Sequence, residues 1–347
     1  MHQRLLAAAL FLASPLVLAA CDGGDDTPQD TGGGPAEGGG GAGAGTSSGG
    51  AGGATSTATG TGTGTTTKPA GAALTLTLEP FDVESGTERQ VCKTINLPVD
   101  VPFDVVQLRS NMLGTSHHFN AYRVLTDPTK PVTDADSKVH DCAPAQEQLA
   151  GDAAYFFGSA TPERVVDLPE GVAFHFQPGQ RIILEQHVIN ATSGVIQGGV
   201  TFDLATPAEG AQIEHHGDVI WFANWSFFIG PNQESSATKH CTVPYAVEVF
   251  GLTSHTHSLG KHFSIEKWSS GDTNHIYDST DWSHPPYDQH APPLSLAAGE
   301  GLEWTCTWQN PTSTAVGPGK DSTDEMCMTF AYAYPKDTLS GPPIQCN

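Results

Sequence analysis

The chain has 347 residues, a formal net charge of −23 at pH 7 and 38% hydrophobic residues. A negative charge of this size repels phosphate backbones and anionic lipid surfaces, so nucleic acid is excluded as an expected partner. Membrane contact is expected only through a covalent anchor.

Residues 1–20 have the pattern of an export signal, with Arg4 before an apolar run at residues 5–17. The run is shorter than the ~20 residues of a membrane-spanning helix. It is followed by Leu18-Ala19-Ala20-Cys21, which resembles a bacterial lipobox, so Cys21 is predicted to carry a lipid. An ordinary signal peptide with a chance cysteine is the alternative. The expected location is the bacterial cell envelope, on the extracytoplasmic side.

Residues 21–72 are rich in Gly, Thr and Ala, and apart from Cys21 they lack large apolar side chains. Such a segment cannot bury enough apolar surface to offset its ordering entropy, so it is predicted to be a disordered linker. About 275 residues follow, which is room for two domains of ordinary size.

Strand patterns dominate these remaining residues. Residues 74–78 and Val172–Phe176 alternate between apolar and other side chains, and Arg181–Ile189 is a β-rich run. No apolar pattern of helical period and length occurs. The sequence therefore predicts an all-β chain with two tandem jelly-roll-like antiparallel β-sandwich domains, at residues 73–207 and 208–347.

Six cysteines follow Cys21, an even number that indicates disulfides in an exported protein. None has CxxC spacing, so a thiolate metal site is not expected. The sequence alone leaves their pairing open. They are Cys92, Cys142, Cys241, Cys306, Cys327 and Cys346.

Five histidines and one methionine are candidate metal ligands. His117 and His118 are adjacent and would face opposite sides of a regular strand, so a shared ion requires a bend or a strand end. His187 lies in an apolar run, where a lone histidine is more often part of the core. His255 and His257 have the i, i+2 spacing that places two imidazoles on one face of a strand.

Met326 completes the set, in the DEMC segment at residues 324–327. A core position is the usual place for methionine, but acidic residues precede this one and a predicted strand follows it. Imidazole suits copper, zinc and iron, whereas a thioether adds affinity mainly for Cu(I). An all-histidine set together with a His-His-Met set therefore favours redox copper over hydrolytic zinc. Other histidines, including His215 and His216, are interpreted as surface or structural residues.

The order of these motifs resembles the copper type II, ascorbate-dependent monooxygenases, a family that includes peptidylglycine α-hydroxylating monooxygenase and dopamine β-monooxygenase. The most specific segments are HTHSLGK at residues 255–261 and DEMC. The resemblance implies two copper ions facing one another across a solvent-filled cleft. One, held by His117, His118 and His187, would pass electrons from ascorbate or another external reductant. The other, held by His255, His257 and Met326, would bind O₂ and hydroxylate substrate. The resemblance also implies the disulfides Cys92–Cys142, Cys241–Cys346 and Cys306–Cys327.

Three positions depart from the peptide-amidating member. Thr253 replaces its carboxylate-binding arginine, and Met328 and Phe330 replace polar groups of its substrate pocket. The expected activity is therefore hydroxylation of a C–H bond in a neutral, fairly apolar small molecule. A lipoprotein that only binds or sequesters copper is the main alternative, and a hydrolytic zinc enzyme is a more distant one.

Overall fold

The computed structural model describes residues 70–114, 116–142, 153–319 and 321–335. The predicted signal, Cys21 and nearly all of the predicted linker lie outside the described residues, although the first strand already begins at Ala70. The described residues contain strands and no helix, which confirms the all-β prediction. Within these ranges there is accordingly no helix of the length and hydropathy needed to cross a membrane.

The strands fall into two groups along the chain. The first group is β1 (Ala70–Val83), β2 (Glu88–Asn96), β3 (Phe103–Val105), β4 (Gln107–Met112), β5 (Ser116–Val124), β6 (His140–Asp141), β7 (Ala153–Ser159), β8 (Glu163–Asp167), β9 (Val172–Phe176), β10 (Arg181–Ile189) and β11 (Ile196–Pro207). The second group is β12 (His215–His216), β13 (Asp218–Ala223), β14 (Gln233–Thr242), β15 (Val247–His255), β16 (Gly260–Ser269), β17 (Asp272–Ser279), β18 (Asp288–Leu296), β19 (Gly301–Asn310) and β20 (Met328–Tyr334).

Two sheets of the first group form one sandwich. Their strand orders are β1-β11-β4-β8 and β6-β2-β10-β5-β7, and all of their pairings are antiparallel. Alternation along each strand directs one set of apolar side chains inward. Phe202 of β11 thus meets Phe119 of β5 and Phe157 of β7, with ring centroids 5.3 and 4.8 Å apart. This apolar layer is the core of the first sandwich.

The second group forms a similar sandwich from the sheets β13-β20-β15-β18 and β14-β19-β16-β17. Its core contains Trp304 and Trp308 of β19, both fully buried, and Phe222 of β13 packs 5.9 Å from Trp304. Cys306–Cys327 joins the two sheets of this sandwich from within its core.

A small third sheet, β12-β9-β3, connects the two groups. β11 ends at Pro207, close to the predicted domain boundary, and β12 then pairs in parallel with β9 of the first group. Phe250 and Tyr332 of the second group also pack into the core of the first sandwich. The described residues of both groups consequently belong to one compact unit.

Two of the three expected disulfides are confirmed, Cys92–Cys142 and Cys306–Cys327. The third expected pairing involves Cys346, which lies outside the described residues. Cys92 lies on β2 and Cys142 follows β6, so their bond fastens the short edge strand β6 to the sheet.

Candidate metal centre

The first histidine set lies at neighbouring ends of β5 and β10. His187 pairs with His118, whereas Val188 pairs with Ser116, so His117 is an extra residue without a partner in the ladder. Such a bulge turns the chain locally and changes the direction of the extra side chain. The bulge supplies the bend that two adjacent histidine ligands require. The three rings lie with centroids 4.9 to 5.4 Å apart, and one nitrogen of each lies within 4.8 Å of the others.

The second set begins at the last residue of β15. His255 lies opposite Met328 of β20, and Thr253, two residues earlier, lies opposite Phe330. Trp221 of β13 pairs with Phe330 from the other side of β20. Since residues at i and i+2 share a face, these five side chains form one face of the sheet.

His257 departs from the sequence-based expectation that both histidines of the motif lie on a strand. β15 ends at His255, and His257 lies in the turn that leads to β16. The buried carboxylate of Glu325 holds this turn, because its two oxygens accept hydrogen bonds from the backbone N–H groups of His257 (2.9 Å) and Leu259 (2.7 Å). Glu325 also accepts a bond from Nε1 of Trp308, 3.0 Å away.

The imidazole of His257 is oriented from the same segment. Its Nδ1 lies 2.9 Å from the backbone oxygen of Asp324, so Nδ1–H donates and Nε2 carries the lone pair. Metal-binding histidines are commonly fixed in this way by a bond at the other ring nitrogen. Met326 follows closely in the chain and lines the same cavity as both histidines, with 7% of its surface exposed.

The two ligand sets line one cavity of about 280 Å³. The rings of His117 and His118 lie 6.4 and 6.0 Å from that of His255, only slightly farther than the 5.2 Å between His255 and His257. The expected arrangement, with the two sets apart across a solvent-filled cleft, is therefore not what the structure has. The sandwiches pack together beside this cavity through Tyr122, Tyr155 and Phe330.

Burial keeps these imidazoles neutral at pH 7. It lowers the pKa of His117 to about 3, with the neighbouring His187 and His257 adding to the effect. Burial likewise lowers the pKa of His118 and of His255 far below the ordinary value of 6.5, and it lowers the pKa of His187 and of His257. Neutral imidazoles with converging lone pairs are the form that binds a metal ion.

A buried carboxyl group adjoins the first set. Glu185 is fully buried on β10, accepts a bond from Asn120 (3.2 Å) and lies 3.7 Å from Nε2 of His118. Desolvation raises its pKa to about 7. On the other side of the set, Nε2 of His187 lies 2.8 Å from a carboxylate oxygen of Glu88.

The residues singled out for substrate contact all line the cavity. Thr253 is 4% exposed and donates its hydroxyl to the backbone oxygen of Pro286, 2.9 Å away. Met328 lies beside it on the sheet face, and Phe330 packs against Tyr155 with ring centroids 4.5 Å apart. This wall is mainly apolar, and Thr253 supplies no cation.

Arg164 of β8 is a lining residue that sequence reasoning missed. It is 93% buried, its guanidinium donates to the backbone oxygens of Gly158 (3.4 Å) and Pro285 (3.0 Å), and it lies over the ring of Tyr287. Among the described lining residues it is the one with a permanent charge, and no carboxylate pairs with it within the described ranges. The mainly apolar cavity therefore also contains one buried cation, which the sequence analysis did not include. No local motif marks Arg164, because only the pairing of β8 with β4 brings it here.

Residues 223–342 match the family described as copper type II ascorbate-dependent monooxygenase, C-terminal domain. This segment therefore has the sequence of a C-terminal domain of that family, and the match covers about a third of the chain. The matched segment contains His255, His257 and Met326, whereas the first histidine set lies before it. A copper-dependent, ascorbate-dependent monooxygenase acts with O₂ on a small molecule, which supports the expected class of activity.

Other comparisons add little to this monooxygenase assignment. No curated protein matches the chain. The major capsid protein P2 from bacteriophage PM2 is 8% identical, covering 76% of this chain and 97% of that one with a TM-score of 0.30. The VP2 subviral particle of infectious bursal disease virus is 7% identical, covering 81% and 76% with a TM-score of 0.20. Likenesses this weak carry no argument.

Proposed function

We propose that this chain is a dicopper monooxygenase that hydroxylates a C–H bond of a small, mainly apolar molecule with O₂ and an external reductant such as ascorbate. The observation that carries this proposal is the meeting of an all-histidine set and a His-His-Met set at one cavity, beside an apolar wall. One oxygen atom of O₂ enters the substrate and the other leaves as water, with two electrons and two protons drawn from the reductant.

The donor sets fit copper on the grounds of burial and ligand chemistry. His117, His118 and His187 would hold one ion, and three neutral imidazoles accommodate both Cu(II) and Cu(I). His255, His257 and Met326 would hold the other, and the soft thioether favours the Cu(I) state. Bound copper supplies the one-electron chemistry of O₂ reduction and C–H oxidation.

The surrounding residues position these ligands and keep bulk water away. Glu325 and the backbone oxygen of Asp324 fix the His257 turn and its ring. The Cys306–Cys327 bond anchors the residue next to Met326 in the core, which limits the freedom of a flexible side chain. Met328 and Phe330 present an apolar surface next to this set, and a buried apolar wall excludes competing water from the reacting region.

Arg164 refines the expected substrate class. A buried cation without a carboxylate partner gains stability from a hydrogen-bond acceptor placed beside it. We therefore propose an apolar substrate skeleton that carries one carbonyl or carboxylate oxygen for Arg164. A peptide ending in glycine stays an unlikely substrate, because Thr253 leaves no cation at the position that binds its carboxylate in the amidating enzyme.

Oxygen uptake tests this function. Copper-loaded mature protein with ascorbate is expected to consume O₂ with apolar ketones or carboxylic acids, and to place one labelled oxygen atom in the product.

The role of Arg164 is tested by a variant. Arg164→Met is expected to raise KM for these compounds by about tenfold or more, because it removes the group that pairs with the acceptor. Arg109→Met serves as the matched control, since Arg109 is exposed on β4 and pairs with Glu163. Efficient turnover of a peptidylglycine would contradict the proposed substrate class.

A copper-binding lipoprotein without catalysis uses the same six ligands. The cavity beside them favours the enzyme, because sequestration needs ligands and no substrate space. If the protein bound two reducible coppers but turned over none of the ketones and carboxylic acids tested, the copper-binding function would be favoured.

We also propose that the protein is attached through a lipid on Cys21 to the bacterial cell envelope, facing away from the cytoplasm. The two disulfides support an oxidising compartment. Metabolic labelling with a palmitate analogue, compared between the parent and Cys21→Ser, tests the anchor.

A further inference from the structure

A second group of metal-binding side chains lies away from the copper cavity. Asp104 of β3, His175 of β9 and His216 of β12 each come from a different strand of the small sheet, and none of them lines the cavity. No sequence pattern identifies this group, because its members are separated by at least 41 positions and share no motif.

The register of the sheet explains why the three side chains meet. Asp104 lies directly opposite His175 in an antiparallel pair, and His216 lies beside Ala173 in a parallel pair. Ala173 and His175 are two residues apart on β9 and so share a face. Asp104, His175 and His216 therefore project from one face of adjacent strands.

The donor atoms converge on one point. Nδ1 of His175 and Nε2 of His216 lie 2.7 and 3.4 Å from the same carboxylate oxygen, Oδ1 of Asp104. The two imidazole rings lie 4.7 Å apart, and the three donor atoms all lie within 4.8 Å of one another. In a tetrahedral zinc site with bonds of about 2.0–2.1 Å, neighbouring donors are about 3.3 Å apart. The 3.4 Å between His216 and Asp104 already matches this spacing, and the 2.7 Å between His175 and Asp104 has only to lengthen slightly.

The chemistry of the donors selects the kind of ion. Two imidazoles and one carboxylate suit borderline divalent cations such as Zn²⁺, and they lack the soft ligand that favours Cu(I). About a third of each side chain is exposed, which leaves room for water at a fourth position. We propose that Asp104, His175 and His216 form a third metal site, which binds a Zn²⁺-like divalent cation.

The place of the site in the fold indicates a structural role. β12 is the first paired segment after β11 ends at Pro207, so it lies where the chain crosses from one sandwich to the other. Its other residue, His215, stacks on Tyr334 of β20 with ring centroids 5.5 Å apart. A cation bound by His216, Asp104 and His175 would link β12 to β3 and β9, and so attach the start of the second sandwich to the first.

Titration of metal-free mature protein with Zn²⁺ tests the site, with stoichiometry and affinity measured by competition against a chromophoric chelator. The copper cavity can also take up Zn²⁺, so the result is the difference between variants. His216→Gln is expected to lose one equivalent of Zn²⁺, or to weaken it by at least about 100-fold, because loss of a direct ligand exceeds the effect of an outer hydrogen bond. His215→Gln, on the same strand and with the same change, is expected to match the parent.

A second variant keeps the test decisive if His216→Gln folds poorly. Asp104→Asn preserves the shape of the side chain and is expected to lose the same equivalent of Zn²⁺. Unchanged Zn²⁺ stoichiometry and affinity in both variants would overturn the proposal. Equal loss in His215→Gln would also overturn it, because the effect would then follow from damage to β12 rather than from removal of a ligand.

Discussion

At the scale of single residues, His255 lies where the two ligand sets meet. Its ring is 5.2 Å from that of His257 and about 6 Å from those of His117 and His118. His255→Ala removes one ligand of the second set and leaves all three of the first. We expect metal analysis to find two coppers in the parent and one in this variant.

The exposed His262, which pairs with Asp278 outside the cavity, provides the control for the His255 variant. His262→Ala is expected to keep both coppers. A single copper in the parent would contradict the two-site proposal, and loss of both coppers from His255→Ala would show that the two sites do not bind independently.

The thioether of Met326 gives a separate prediction about redox state. Met326→His replaces the soft ligand by an imidazole, which binds Cu(II) relatively better. We expect the variant to keep copper, with a lower midpoint potential at the second site in spectroelectrochemical titration. An unchanged potential at that site would exclude Met326 as a ligand.

At the scale of elements, the turn between β15 and β16 depends on one carboxylate. Glu325 accepts bonds from the His257 and Leu259 backbones and from Trp308. In Glu325→Gln one acceptor becomes an NH₂ group that faces a donor. We expect a loss of about 2 kcal/mol in the free energy of unfolding. We also expect copper at the second site to bind 10–100-fold more weakly, roughly the effect of losing an outer hydrogen bond.

Glu234→Gln is the matched control for the Glu325 variant. Glu234 forms an exposed ion pair with Lys261 beside the same turn, and such pairs contribute about 1 kcal/mol or less. Equal stability and equal copper affinity in the two variants, by urea unfolding and Cu(I) chelator competition, would remove Glu325 from its positioning role.

The turn that joins β18 to β19 gives a prediction about pH. Bonds from Lys267 and from the backbone N–H of Ala297 lower the pKa of Glu300 from its ordinary 4.5 to about 2. A carboxyl group with a lowered folded-state pKa stabilises the fold above its unfolded value and loses that contribution as the pH falls through the folded value.

Glu300→Gln is therefore expected to unfold at lower urea concentration than the parent above pH 5, with the difference shrinking as the pH falls from 4.5 towards 2. Glu209→Gln, in the exposed segment after β11, is expected to follow the parent throughout. A difference between parent and Glu300→Gln that is constant with pH would contradict the assigned role of the carboxylate.

The sequence pattern predicted the strands better than the contacts between residues of different strands. Alternation identified strands such as Val172–Phe176, and motif order identified the candidate ligand residues that line the cavity. The bulge at His117 could not be predicted from the sequence, because it depends on the register between β5 and β10. The positions of Arg164 and of the Asp104 group could not be predicted for the same reason, since they depend on pairing between strands that are distant in the chain. Helical or strand period carries no information about such contacts.

At the scale of the whole molecule, the cavity belongs to both sandwiches. Its first histidine set comes from β5 and β10. Its second set comes from the end of β15, the turn that follows, and the segment before β20. Glu88 links the two sides, because it contacts His187 and accepts a bond from Ser322, 3.2 Å away. The geometry of the centre therefore depends on how firmly the sandwiches are held together.

Arg123 and Asp218 form a buried ion pair at this junction. Arg123 of β5 is 4% exposed, lies 4.9 Å from the ring centroid of Phe176 and donates to Asp218 of β13 at 3.2 Å. Asp218→Asn would leave the guanidinium without a counter-charge in an apolar setting. Breaking a buried pair in this way costs about 3–5 kcal/mol, so we expect a fall of roughly that size in the free energy of unfolding.

Urea unfolding distinguishes this junction from an ordinary surface contact. Asp203→Asn is the control, because Asp203 accepts an exposed bond from Thr75 and its loss is expected to cost about 1 kcal/mol or less. Replacing both partners, as Arg123→Met with Asp218→Leu, is expected to recover part of the stability, since apolar residues of similar volume carry no desolvation penalty. If Asp218→Asn matched Asp203→Asn, the pair would not hold the sandwiches together, and the cavity between the ligand sets would depend on apolar packing alone.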